Sequence, residues 1–311
     1  MDRVGHGTSA KANGRDVQAE LAAYFLGAEK GQRILSVREL SESLHMSVGA
    51  ISIALNSLQD MGAVSIEKRG HMGSYLLDCS ISKLFGISGR SPMVIAMSLP
   101  MHIRFEGLAT SVKRILEGSG IETYLIFIRG SRTRLKALHD NRCHAVLMSG
   151  LSAEGNENEE NEIMHVLPPT TWLSGYCVFY RKHPVPGRPL RVGVDLQSSD
   201  HTRLTTVEFS GQDAELRSVS YVHITQMLKN GDIDAVVWNM DHMEDLNDPE
   251  IAFRPLSEGT MKEVGEKALS AALVGKKGDA AVRAVLQKLL DASLVMEIQA
   301  QVVEGKILAE Y

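Results

Sequence analysis

Two clusters in this sequence place charged and hydrogen-bonding side chains at spacings that can do chemistry. The first is Arg129-Gly130-Ser131-Arg132-Thr133-Arg134, an arginine group interleaved with a glycine and two hydroxyl residues. A guanidinium presents a planar fork of N–H donors that matches a carboxylate or phosphate, and a helix beginning here adds the positive end of its dipole. This cluster suits an anion. It would also suit a solvated surface, a contact with a second copy, or a contact with the acidic stretch Glu154–Glu162. The second cluster is the basic turn Lys68-Arg69-Gly70-His71, which follows Arg38 with no Lys or Arg between Arg38 and Lys68. Cations on a turn suit phosphate oxygens.

Other chemistries find less support. Cys79, Cys143 and Cys177 form no CxxC pair and, apart from His139/Cys143, no Cys/His pair at ligand spacing, so neither a disulfide framework nor a metal site is expected. Cys143 and Cys177 fall in expected strands and read as core residues rather than nucleophiles. The GxxxxGK[ST], HExxH, GxSxG and GxGxxG patterns are all missing, so the chain reads as a non-enzyme without a cofactor.

The elements that must position these residues follow from hydrophobic spacing. Residues 1–14 lack periodicity and are expected to be a flexible tail. Val17, Leu21, Tyr24 and Phe25 share one face of a first helix. Ser36 is a good N-cap for a short helix with Val37, Leu40 and Leu44 buried, and Ser47 caps a second with Ile51, Ala54, Leu55 and Leu58 buried. Two short helices joined by so tight a link make a helix-turn-helix. Ala63–Ile66 and Ser74–Leu77 then read as two strands around the basic turn. The expected winged helix-turn-helix covers 15–78, and 79–91 is expected to be a linker rich in Ser and Gly.

Beyond it, 92–311 alternates between strand and helix patterns. Expected strands are Met93–Ser98, Tyr124–Ile128, His144–Met148, Arg191–Asp195, Ser218–Val222 and Asp234–Trp238. Helices are expected between them, a mainly parallel sheet is implied, and the last stretch, Val264 to Ile298, is expected to be helix-rich. Leu138-(x5)-His144-Ala145-Val146-Leu147 overlays Leu228-(x5)-Asp234-Ala235-Val236-Val237, which suggests two similar α/β lobes. Val166–Tyr180 and Ile251–Leu256 serve as extended crossovers, giving a clamp with a cleft. Ligands of open α/β sheets lie beyond the carboxyl ends of the strands. Those ends nominate Ser98, Pro100, Arg129, Ser131, Arg132 and Ser149 in one lobe and Asp195, Ser198, Ser199, Asn239 and Asp241 in the other, with Thr171 and Trp172 of the crossover at the hinge. With Asp195 and Asp241 suited to an amine or hydroxyl, the expected effector is a small polar, anionic or zwitterionic molecule.

The stretch Leu35-Ser36-Val37-Arg38-Glu39-Leu40, then Met46-Ser47, then Ile66-Glu67-Lys68-Arg69-Gly70-His71-Met72-Gly73-Ser74-Tyr75-Leu76 resembles the GntR-type winged helix. The remainder looks like a type 2 periplasmic-binding-protein fold, and the combination resembles the YhfZ family, regarded as transcriptional regulators. The resemblance implies an α/β protein with an N-terminal winged helix and a two-lobed effector domain, binding a double-stranded DNA operator. It matches Arg38 to a DNA-contacting arginine and Lys68, Arg69 and His71 to the wing. Ser36, Ser47, Gly49, Ser52 and Asn56 fall on the DNA-reading helices, where Ser and Asn can bond base edges and Asn pairs best with adenine. Where that winged-helix type carries arginines, this chain has Val48, Ser52 and Asn56, which implies weaker, less salt-sensitive binding.

Composition bounds these readings. The 311 residues carry 33 Lys and Arg against 38 Asp and Glu, a net charge of −5, which excludes a globally basic nucleic-acid or membrane-surface binder. Residues 1–80 hold 8 Lys and Arg against 9 Asp and Glu, and 91–311 hold 23 against 29, so the acidity belongs to the second part. Apolar runs are too short to span a bilayer and the N-terminus lacks a secretory pattern, so a cytoplasmic protein without membrane partners is expected. Paired half-sites imply a homodimer. The competing expectation is a small-molecule-binding protein or vestigial enzyme whose winged helix mediates protein contacts.

Overall fold

The computed structural model describes residues 14–241 and 248–311. The expected tail, 1–14, lies outside the described residues except for Gly14. Two compact units are formed, one built on residues up to Pro92 with Ser119–Ile121 and Ala280–Val285, the other on Met93–Gly118, Glu122–Asp279 and Leu286–Tyr311.

In the first unit, α1 (Gly14–Gly27) buries Val17, Leu21, Ala22, Phe25 and Leu26, the stripe expected of an amphipathic helix. After the short β1 (Arg33–Ile34), α2 (Val37–Ser43) opens with a capping box: Ser36 Oγ accepts the Glu39 N–H at 3.2 Å, and the Glu39 carboxylate accepts the Ser36 N–H at 2.7 Å. These bonds, the backbone one foremost, hold the Glu39 carboxyl below its ordinary range. His45 turns the chain with φ of 53°. Ser47 then caps α3 (Val48–Asp60) by accepting the Ala50 N–H at 3.2 Å. Strands β2 (Val64–Lys68) and β3 (Ser74–Cys79) pair antiparallel around a 3-10 turn, Gly70–Met72, and β1 pairs with the other edge of β3.

The segment expected as a linker is corrected here. It holds α4 (Ile81–Ile87), which Ser80 caps and which packs on α1 with Leu84 and Phe85 fully buried. Its Ser and Gly content disguises a cap and a two-residue apolar face.

The second unit contains two five-stranded sheets. One is made from β4 (Met93–Met97), β5 (Thr123–Phe127), β6 (Ala145–Ser149), β7 (Asn161–Val166) and β13 (Ala271–Lys276) in the order β5-β4-β6-β13-β7. The other uses β8 (Tyr176–Arg181), β9 (Leu190–Val194), β10 (Ala214–Ser218), β11 (Ala235–Asn239) and β12 (Ile251–Pro255) in the order β10-β9-β11-β8-β12. Parallel pairing joins β4, β5 and β6 in the first and β9, β10 and β11 in the second, while the remaining pairs are antiparallel, so both sheets are mixed rather than mainly parallel. The internal overlay is a real correspondence of position, since β6 and β11 are the middle strands of their sheets.

The helices α5 (Ile103–Gly118), α6 (Ser131–His139) and α7 (Gly150–Glu154) serve the first lobe, and α8 (Ser199–Glu208), α9 (Ile224–Asn230) and α10 (Glu258–Val264) the second. They are followed by α11 (Ala280–Leu289) and α12 (Ala292–Val303). Gly107 lets α12 lie against α5: a Cβ there would stand 2.9 Å from the Gln299 carbonyl oxygen. Gln299 in turn donates to the Arg104 and Thr171 carbonyls at 3.0 and 2.8 Å, fixing the start of α5 to the crossover.

Three further expectations are corrected. The helix-rich final stretch contains β13, whose Ala271, Ala272 and Gly275 lack the β-branched signature of a strand yet are fully buried between β6 and β7. The strand expected over Ser218–Val222 is displaced to β10, an edge strand whose exposed Glu215 and Arg217 pair with each other at 2.8 Å and give no apolar alternation. Cys143 precedes β6 rather than lying in it, whereas Cys177 is within β8.

Candidate functional site

Side chains from both lobes line one cavity of about 100 Å³ in the α/β unit. Its walls come from the carboxyl ends of β4, β5, β6, β9 and β11 and from the helix starts that follow them. Of the nominated residues, Ser98, Arg129, Ser131, Ser149, Trp172, Asp195, Ser198 and Asn239 line it. Pro100, Arg132, Thr171, Ser199 and Asp241 do not. Arg132 is exposed, and the Thr171 hydroxyl is used structurally, donating to the Pro168 carbonyl at 2.6 Å and accepting the Ala271 N–H at 2.9 Å. Asp241 accepts from Arg104 Nε at 3.2 Å and the Ser174 N–H at 3.0 Å. Burial alone would raise its carboxyl, but the Ser174 bonds and the Arg104 charge outweigh that and lower it.

Across the cavity the lobes are tied together. Arg129, following β5, donates to the Asp195 carboxylate at 2.6 Å, and Asp195, at the end of β9, also accepts the Gln197 N–H at 2.9 Å. Ser199 stands 3.1 Å from the Ser131 hydroxyl and also bonds the Ser152 hydroxyl. Gly130 makes this approach possible. Its φ is 83°, and a Cβ would meet the Gln197 carbonyl oxygen at 3.2 Å. The Arg104–Asp241 pair is a second tie between the lobes.

Arg134 belongs to the arginine cluster but not to the strand ends nominated above, and it lines the cavity together with residues the sequence does not single out: Ser152, Asp200, His201, and a wall in which His102, Phe105 and Trp238 join Trp172. His102 and Phe105 rings lie 3.9 Å apart and Phe105 and Trp172 4.5 Å apart by centroid. His201 accepts the Asp195 N–H through Nδ1 at 3.0 Å and faces the Val237 carbonyl through Nε2 at 2.8 Å, which requires the proton on Nε2. Burial lowers its pKa, so the ring is neutral near pH 7. Arg134 is 4% exposed; its Nη1 donates to the Ile128 carbonyl at 2.9 Å, and Nε has no hydrogen-bond partner. Helical spacing was the signal for it: Ser131, Arg134, Leu135 and Leu138 share a face, and all four are buried.

The buried thiols are not activated. Burial pushes Cys143 up to about 11 and Cys177 to about 12.

On the winged helix, Arg38, Ser47, Gly49, Asn56, Lys68, Arg69 and His71 are exposed and Ser52 is half-buried. Ser36 and Ser47 spend their oxygens on helix caps. Arg69 bonds the Glu67 carboxylate, and its guanidinium sits 4.5 Å over the Tyr75 ring, so of the wing cations Lys68 is the less engaged. The outer face of α3 is apolar at two positions, with Val48 52% and Ile53 73% exposed.

Among the described residues, no helix is long and apolar enough to cross a membrane. The family described as YhfZ C-terminal domain matches residues 80–311, and a helix-turn-helix domain family matches 29–76. The uncharacterized protein YhfZ of Escherichia coli (strain K12) is 30% identical over 287 residues, spanning 92% of this chain and 93% of that protein. The crystal structure of YhfZ from Shigella flexneri superposes with a TM-score of 0.60 at 29% identity, over 70% of this chain and 93% of that one. The periplasmic aliphatic sulphonate binding protein SsuA from Escherichia coli, 13% identical, superposes with a TM-score of 0.51 over 69% of this chain and 74% of its own, which shows a shared periplasmic-binding-protein-like fold. With both parts of the chain matched and the relative covered almost end to end, this protein belongs to the YhfZ family.

Proposed function

We propose that this protein is a ligand-responsive transcriptional regulator: its winged helix binds operator DNA and its α/β unit senses a small polar or anionic metabolite. The observation that carries this is a helix-turn-helix with its second helix exposed, on one chain with a binding-protein-like fold whose two lobes enclose a cavity lined by Ser, Arg and aromatic side chains. A cytoplasmic homodimer reading paired half-sites is part of the proposal. We further propose that the winged helix works in the GntR manner, with Arg38 and Lys68 on phosphates and Ser52 and Asn56 on base edges.

Fluorescence anisotropy of the full chain on its own upstream DNA tests this. Binding is expected at low salt, and Arg38→Ala and Lys68→Ala should each weaken it and reduce the slope of log K against log salt by about one. Unchanged affinity in both variants removes these contacts from the proposal. The exposed Val48 and Ile53 favour one other reading, a winged helix that contacts protein; the absence of any DNA binding at low salt would select it.

A further inference from the structure

Arg134 is a buried cation facing a cavity. Its guanidinium bonds one carbonyl, and among the described residues no carboxylate lies within ion-pair distance of it. Of the other charges lining the cavity, Arg129 and Asp195 pair with each other, and Asp200 is held by neutral donors. Asp195 is occupied by Arg129 and the Gln197 N–H, and Asp200 accepts from Ser198 Oγ and from the His201 N–H at 3.0 Å. Burial pulls the Arg134 pKa down to about 10, although the Asp200 charge works in the opposite direction. A buried guanidinium with no carboxylate in contact is costly, the Asp200 charge acts on it only from beyond ion-pair distance, and an anion delivered to the cavity would offset that cost.

A second feature coincides with it. Helix α6 starts at Gly130 with no side-chain cap, which leaves the N–H groups of its first turn without that partner. Side chains on a helix tilt toward its N-terminus, and Arg134 does so, reaching back to Ile128. The free donors of the helix start and the buried fork therefore belong to one region. The same cavity is lined by the stacked His102, Phe105 and Trp172 rings, an aromatic wall.

We propose that the cavity takes a compact organic anion, its carboxylate or phosphate-type group set against the Arg134 guanidinium and its apolar body against the His102, Phe105 and Trp172 rings. Arg129 is the tie between lobes rather than the anion's partner. This rests on reading the cavity as the effector site, and it narrows the effector to one chemical class.

Calorimetric titration of the full chain tests it with benzoate and phenylphosphonate as anions, benzyl alcohol as the neutral analogue and benzylamine as the cation. One or both anions should bind with a Kd of about 1 mM or tighter and at least tenfold better than the alcohol or the amine. Whichever anion is preferred distinguishes the carboxylate from the phosphate-type group. Arg134→Met should weaken the preferred anion by about tenfold to a hundredfold and leave the alcohol unchanged. Should that variant fail to fold, the anion-to-alcohol ratio in the unmodified chain decides. Equal or better binding of the alcohol or the amine, no anion binding at this level, or full anion affinity in a folded Arg134→Met would each overturn the inference. A neutral or cationic ligand that altered DNA binding would leave the regulator reading intact and remove this one. Anion binding without DNA binding would do the reverse.

Discussion

At the scale of single residues, charge placement separates structural groups from available ones. Asp234 is buried and accepts from Arg188 at 2.7 and 3.0 Å and from Arg191 at 2.9, 3.1 and 3.2 Å. Burial would raise its carboxyl, but the arginine hydrogen bonds outweigh it and hold the carboxyl far below the usual range. A folded pKa below the unfolded value of about 3.9 means that this stabilisation is fully present above pH 4 and is lost as pH falls below it. Asp234→Asn should therefore cost about 3 kcal/mol at pH 7 and flatten the acid limb of stability, as read by urea unfolding between pH 7 and pH 2. Arg134 is the opposite case, a buried charge without such a partner. Its composition was plain in the sequence but its availability was not. Three arginines in six residues look alike until the turn at Gly130 sets the helix register, burying Arg134 with Ser131 and leaving Arg132 in solvent.

Among the elements, legibility followed the strength of local signals. The helix-turn-helix could be read because Ser36 and Ser47 are true caps ahead of apolar stripes, and the middle strands β6 and β11 because they are short apolar runs. Strand β13 could not, because its alanines favour helix locally and only the pairing with β6 and β7, far away in sequence, makes it a strand. Helix α4 was hidden by the Ser and Gly content of its surroundings. If it is part of the fold rather than a tether, Phe85→Ala should destabilise the winged-helix unit by about 3–5 kcal/mol. A chemical-denaturation midpoint for Phe85→Ala equal to that of the unmodified chain would return 79–91 to the status of a linker. Ser36→Ala offers a smaller check, with about 1 kcal/mol expected for the lost cap.

For the whole molecule, the regulator proposed above works by opening and closing its two lobes, and the ties between them set the energy of that motion. The Arg129–Asp195 pair joins a half-exposed guanidinium to a buried carboxylate, and the Ser131, Ser152 and Ser199 hydroxyls add neutral bonds across the same gap. Because Arg129 is 42% exposed, solvent screening limits the ion pair to about 1 kcal/mol. A tie of that size biases closure without locking it, which a sensor needs if ligand is to shift the population. Removing Arg129 alone would strand the buried Asp195, so the informative variant is Arg129→Gln combined with Asp195→Asn, which removes both charges together. The double variant should fold, populate the open clamp more, and bind the preferred anion about fivefold more weakly, since apparent affinity scales with the closed fraction. Small-angle scattering should show a larger radius of gyration for its ligand-free form that returns toward the unmodified value at saturating anion. Equal affinity and an unchanged radius would mean that closure is held by the serine contacts and the Arg104–Asp241 pair instead.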